Sequence, residues 1–200
     1  MSKVLVTESY LTGIGDAIRF KNGSTARYKP SEMAAAIKNI KTQDNTAVNS
    51  IIDKTISGDY TNNEVTSVGK YVFAFCFNLK KVTMTNATNI NSNAFYNCTG
   101  LISANFPNVE TVQASAFNSS GLASITFNKL VTLGSSSDYS GIFENTPMTS
   151  IRIPSTIKTI GLYALSYSSI KTITVNRRRD AISGSPWGAT NATVNWIGTT

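Results

Sequence analysis

Reactive side chains are sparse in this chain, and their spacing assembles no reaction centre. There is no histidine, which removes the commonest general base and the commonest metal ligand together. The carboxylates Asp16, Glu32, Asp53, Asp59, Glu64, Glu110, Asp138, Glu144 and Asp180 lie far apart. No two recur in register on one face, as the paired acids of a glycosidase must. Gly13 and Gly15 fall inside a predicted helix and lack the preceding strand of a dinucleotide loop. Cys76 and Cys98 form neither a Cys-x-x-Cys nor a Cys/His spacing, so no metal site follows from them. The expectation is a non-enzymatic protein with no cofactor and no metal.

The chemistry left to the chain is recognition. Lys81, Thr83, Asn105, Thr126, Arg152 and Thr174 are expected to point outward from successive short strands. Hydroxyl and amide groups on such a face suit a carbohydrate or a protein backbone; the alternative is a solvated face that binds nothing. Arg177-Arg178-Arg179 has the donors for phosphates or a polyanion, or else forms a solvated turn. Gly134 to Gly141 reads as a protruding loop, and loops often carry recognition, which singles out Asp138 and Tyr139.

What positions these groups is a repeated unit, clearest in residues 90–107. Its pattern is apolar-x3-Ala-Phe-x2-Cys-x2-Leu-x2-apolar-x-apolar-Pro. Phe73, Phe95, Phe117, Phe143 and Leu165 mark five copies, with steps of 22, 22, 26 and 22 residues. The long step holds the Gly134 to Gly141 insertion. A period in the low twenties is the signature of a leucine-rich-type solenoid, whose units are too small to fold without stacking on neighbours. The five marker side chains are expected to stack inside as the structural core, on a tight helical or turn limb. The strand limb places Val82/Met84, Ala104/Phe106, Ile125/Phe127, Ile151/Ile153 and Ile173/Val175 inward. Cys76 and Cys98 share one template position and are expected as stacked, buried free thiols.

Upstream, Leu11, Ile14 and Ile18 form one helical stripe between about Ser9 and Phe20. Met33, Ile37 and Ile40 form another after Lys29-Pro30-Ser31-Glu32, where Pro suits the first helical position. Two narrow stripes make a helical hairpin that must pack on something else. Residues 50–57 read as a strand with β-branched residues, ended by Gly58-Asp59. After Val175 the pattern gives way to a Pro/Gly loop around Trp187 and a last alternation at Val194 and Trp196. The predicted organisation is a hairpin over 1–41, a linker and cap over 42–67, the solenoid over 68–175 and a closing cap over 176–200.

Charged residues make up 14% of the chain and the formal charge is +7. The basic residues are scattered, which favours solubility over nucleic-acid binding. The first residues lack the apolar core of a signal peptide and no run of about 18 apolar residues occurs. The expectation is a cytoplasmically made chain without membrane insertion.

Residues 68–175 resemble the BspA-type leucine-rich repeats of bacterial surface proteins. Tyr10-Leu11-Thr12-Gly13-Ile14-Gly15-Asp16-Ala17-Ile18-Arg19, with Lys29 to Ile37, is similar to a leader of phage structural and tail proteins of Gram-positive hosts. The segment from Gly184 to Trp196 looks like the closing motif of such phage repeat proteins. These resemblances imply a virion protein released by lysis, attached to other virion proteins through Leu11, Ile14, Ile18, Met33, Ile37 and Ile40. They also imply a homo-oligomer whose solenoid faces a host cell-wall glycan or surface protein. A purely structural head decoration or fibre protein is the alternative, as is a bacterial adhesin.

Overall fold

The computed structural model describes residues 54–134 and 141–198, all within the second of two compact units, Thr46–Thr200. The predicted hairpin with its six attachment residues, the 50–53 part of the predicted strand, and Asp138 with Tyr139 lie outside the described residues.

A parallel β-solenoid is what the described residues form, and no α-helix occurs among them. Short strands alternate between two limbs of each coil. One limb carries β1 (Gly58–Thr61), β3 (Leu79–Thr83) and β5 (Ser103–Asn105), then β8 (Ser150–Ile153), β10 (Thr172–Val175) and β11 (Thr193–Trp196). These make two three-stranded sheets, β1-β3-β5 and β11-β10-β8. The other limb carries two-residue strands: β2 (Ser67–Val68), β4 (Asn89–Ile90), β6 (Thr111–Val112), β7 (Thr132–Leu133) and β9 (Thr159–Ile160), hydrogen-bonded in that order.

The column of rings predicted from the period is present. Phe73, Phe95, Phe117 and Phe143 stack nearly parallel, with successive centroids 5.1, 5.3 and 5.7 Å apart. Leu165 is fully buried with them. Phe106 tilts against both Phe95 and Phe117, and Tyr60 closes one end against Phe73 at 5.2 Å.

Two expectations change. Residues 54–57 are not strand; the pairing begins at Gly58, whose positive φ turns the chain so that Asp59, Tyr60 and Thr61 lie beside Lys81, Val82 and Thr83. Residues 124–127 are not strand either, although Ile125 and Phe127 are buried as expected. The segment pairs with neither β5 nor β8, so the strand limb is split there into two sheets. Corner length does not account for the break, because Phe143 to Met148 and Leu165 to Ile170 span five residues as Phe117 to Leu122 does, and β8 and β10 still pair.

Five coils were expected, and a sixth follows. β11 pairs in parallel with β10, Val194 beside Ile173 and Trp196 beside Val175. Leu165 N–H donates to the Trp187 carbonyl at 2.9 Å, continuing the bonding of the earlier coils. Trp187 is fully buried and Trp196 packs on it at 6.0 Å. Large indole rings thus take over where the Ala-Phe pair ends.

Many of the abundant polar residues staple coil to coil. Asn91 Nδ2 donates to the Val68 carbonyl at 2.8 Å and Asn108 Nδ2 to that of Thr85 at 2.7 Å. Thr156 Oγ1 donates to the Leu130 carbonyl at 2.8 Å. The Thr85 and Leu130 carbonyls lie outside the strands and gain a partner this way, while the Val68 carbonyl also accepts from the Asn91 N–H at 3.0 Å. Corners also press on the previous coil: a Cβ on Gly100 would fall onto the Phe77 carbonyl oxygen, and one on Gly121 would lie 2.5 Å from that of Thr99. Gly100→Ala should therefore destabilise by about 1–3 kcal/mol as backbone is forced apart. Urea unfolding of the variant against the parent chain checks this.

Candidate functional site

The sequence placed its binding residues on the strand limb, and the structure divides them. Lys81, Thr83 and Asn105 lie together, with Thr83 beside Asn105 and Lys81 beside Ser103. Asp59 and Thr61 on β1 extend this patch and were not foreseen. Arg152 and Thr174 are register partners on the second sheet, continued by Asn195 next to Thr174. Thr126 is exposed but belongs to neither ladder. Lys81, Asn105 and Arg152 are exposed, whereas Thr83 and Thr174 are half-buried. The face is therefore two small polar patches separated by the irregular third coil.

Arg177 is a staple: its Nη1 donates to the Ile157 carbonyl, and the side chain is half-buried. Arg178 and Arg179 remain exposed. Arg177, Arg178, Ser155 and Asn176 line an open cleft of about 420 Å³.

The cysteines are buried free thiols. Cys98 Sγ donates to the Phe73 carbonyl at 2.8 Å. Burial first, and then the neighbouring Cys76, pushes the Cys98 thiol up to about 12 from 9.0; Cys76 is raised by burial as well. An unfolded thiol ionises near 9.0 while the folded Cys98 keeps its proton. This contribution is therefore full below 9.0 and is lost as pH climbs from there towards about 12. At neutral pH neither cysteine should react with a soluble disulfide reagent until denaturant is added. A thiol titration with and without guanidinium tests that. Among the described residues, no cluster of three His, Cys, Asp or Glu could hold a metal.

A second surface, on the limb that carries the Phe column, was not anticipated. There the chain turns without helix, through residues of positive φ placed two before and two after the buried ring. Tyr71, Asn93 and Ser115 hold the first position with φ of 60, 59 and 53°. Phe75, Asn97, Ser119, Asn145 and Tyr167 hold the second, with φ between 54 and 65°. This geometry turns N–H groups towards the next coil: Phe75 donates to Tyr96, Asn97 to Asn118, Ser119 to Glu144 and Asn145 to Tyr167, at 2.8 to 3.2 Å. Aromatic side chains stand exposed at both ends of this limb. Tyr71 is 49% and Phe75 43% exposed at one end, and Tyr167 is 76% exposed at the other. Phe75 contacts Phe77 and Tyr96 edge-on at 6.2 and 5.5 Å, while Lys70 Nζ sits 5.4 Å from the Tyr71 ring centre. Tyr163, Tyr167, Ser168, Thr190 and Asn191 line a cleft of about 390 Å³ at the far end. The signal was present at the position two beyond the buried ring, where only the first and fifth copies carry rings, Phe75 and Tyr167.

The repeat described as BspA type leucine rich repeat region matches in six copies, over residues 55–137 and 137–191. That span holds most of the chain and every strand described above except β11. The chain belongs to the BspA-type leucine-rich-repeat family. No curated protein matches it, and no solved structure does. The solenoid of this BspA-type chain is typically a non-catalytic binding or scaffold fold, and no enzymatic family is indicated. Among the described residues no helix is long and apolar enough to cross a membrane.

Proposed function

We propose that this BspA-type chain is a non-enzymatic adhesion protein of a bacteriophage particle. Its N-terminal residues, through Leu11, Ile14, Ile18, Met33, Ile37 and Ile40, hold it to other virion proteins, and the solenoid is presented outward to the host surface. The observation that carries the adhesive part is the six-copy repeat body, whose exposed limbs are lined by amide, hydroxyl and aromatic groups. The leader-like start and the Pro-Trp closing segment support the virion part. In this reading the chain acts as a homo-oligomer, because several weak repeat surfaces gain strength by multivalency.

The test is biochemical. Purified particles should contain the protein at a fixed copy number, and deletion of residues 1–41 should remove it from particles while leaving it soluble in the lysate. Absence of the intact protein from particles would contradict the virion part. A bacterial surface adhesin is the second reading, favoured by the BspA-type family match itself. It would be supported if the protein were instead found on the wall of uninfected cells.

A further inference from the structure

We propose that the turn limb of the solenoid, rather than its strand faces, is the ligand-binding surface, and that its ligand is a neutral, extended polysaccharide laid across the coils. This rests on the adhesive reading and specifies it.

The first argument is conformational. A bulky residue with φ near +60° is disfavoured by contact between its Cβ and the backbone, and Asn tolerates that region far better. Asn93, Asn97 and Asn145 fill such positions in the middle coils, yet Tyr71, Phe75 and Tyr167 fill them at the ends. The rings do not recover that cost by burial, because all three are 43% exposed or more. Strained positions that burial does not explain mark functional surfaces.

Pattern supplies the second argument. In the column two residues beyond the buried ring, the order along the solenoid is Phe75, Asn97, Ser119, Asn145, Tyr167. Rings stand at both ends and small amide or hydroxyl groups stand between them. A protein-binding patch would place all its aromatic anchors together at the centre; here Tyr71, Phe75 and Phe77 group at one end and Tyr167 stands at the other, beyond three polar rungs. A pyranose has the complementary chemistry: a flat C–H face that packs on a ring, and an equatorial rim of hydroxyls for amides and hydroxyls. Coils repeat at about 4.8 Å, close to the advance of one hexopyranose unit in an extended glycan. The distance from Phe75 to Tyr167, four coil steps, is then roughly 19 Å.

The third argument is charge and rigidity. None of the five residues in this column is ionisable, apart from the Tyr167 phenol. The carboxylate nearest the centre is Glu144, whose Oε2 accepts from Asn118 Nδ2 at 2.9 Å. A polyanion laid on this limb would meet that charge, whereas a neutral glycan would not. Ser119 Oγ in turn donates to Asn118 Oδ1 at 2.7 Å, so the middle rungs are fixed before any ligand arrives, which lowers the cost of binding. The cleft between Tyr163, Tyr167 and Asn191 is of a size to seat one terminal sugar.

The experiment uses the full chain on a printed array of neutral oligosaccharides from one to six units. Phe75→Asn and Tyr167→Asn place at each end the residue the middle coils already use, so both variants should fold at least as stably as the parent. Ile102→Asn, on an exposed apolar residue away from the limb, is the control. The expected result is binding that strengthens with chain length up to roughly five units, and falls about tenfold or more in either Asn variant but not in Ile102→Asn. Binding that ignores chain length, or that both Asn variants retain, would overturn the proposal. So would array silence from the parent chain. If the parent still binds whole cells while the array is silent, or if protease treatment of the cells abolishes that binding, the glycan ligand is wrong and the adhesive reading survives. If it binds neither cells nor array, the adhesive reading falls as well.

Discussion

Phe95→Ala should unfold the whole solenoid at markedly lower denaturant, with a loss of about 3–5 kcal/mol. The ring lies between Phe73 at 5.1 Å and Phe117 at 5.3 Å, nearly parallel to both, with Phe106 tilted against its edge. It is fully buried, and its coil has a neighbour on each side. Removing it leaves a cavity whose walls are other coils' rings, held by their own hydrogen bonds and unable to close in. In a stacked repeat each unit draws its stability from the two interfaces beside it, so a gap in the second coil weakens the first and the third together. Equilibrium unfolding followed by tyrosine and tryptophan fluorescence measures this. A midpoint within error of the parent would mean that the column does not carry the fold.

Trp187→Ala removes a side chain of similar worth, again about 3–5 kcal/mol, but the effect should stay local. Trp187 is fully buried and packs on Trp196, yet it belongs to the last coil and has a repeat on one side only. Loss of the indole should free β11 from β10 while coils one to four keep their protection. Hydrogen exchange reads this directly. The Thr193 amide, bonded to the Lys171 carbonyl, and the Ile197 amide, bonded to that of Val175, should exchange much faster. The Phe95 amide, bonded to the Ala116 carbonyl, should be unchanged. Uniform acceleration across all three would show that the end coil does not open independently of the others.

These two substitutions also show where the sequence was legible. The Phe95 column could be read because one residue type recurs at a constant step, and constant steps survive when local conformation is unknown. Trp187 announced itself only as a closing residue. Its coil has neither the Ala-Phe pair nor the Leu, and the strand spacing from Val175 to Trp196 is 21 residues, so periodicity alone ended one coil early. The strand face was read as continuous because inward and outward residues alternate in all five copies. Alternation reports which side chains face inward, however, and not which strands pair: residues 124–127 keep Ile125 and Phe127 buried yet join neither ladder. The turn limb was the least legible. Its positive-φ positions hold Tyr, Phe, Asn and Ser, which share no property except their spacing from the buried ring.

The adhesive role is tested most directly by titrating the labelled full chain onto whole cells of a panel of Gram-positive strains. The expected result is saturable binding to at least one strain, competed by that strain's extracted neutral wall polysaccharide and lost in the Tyr167→Asn chain. Linear, unsaturable retention on every strain, identical for parent and variant, would contradict it.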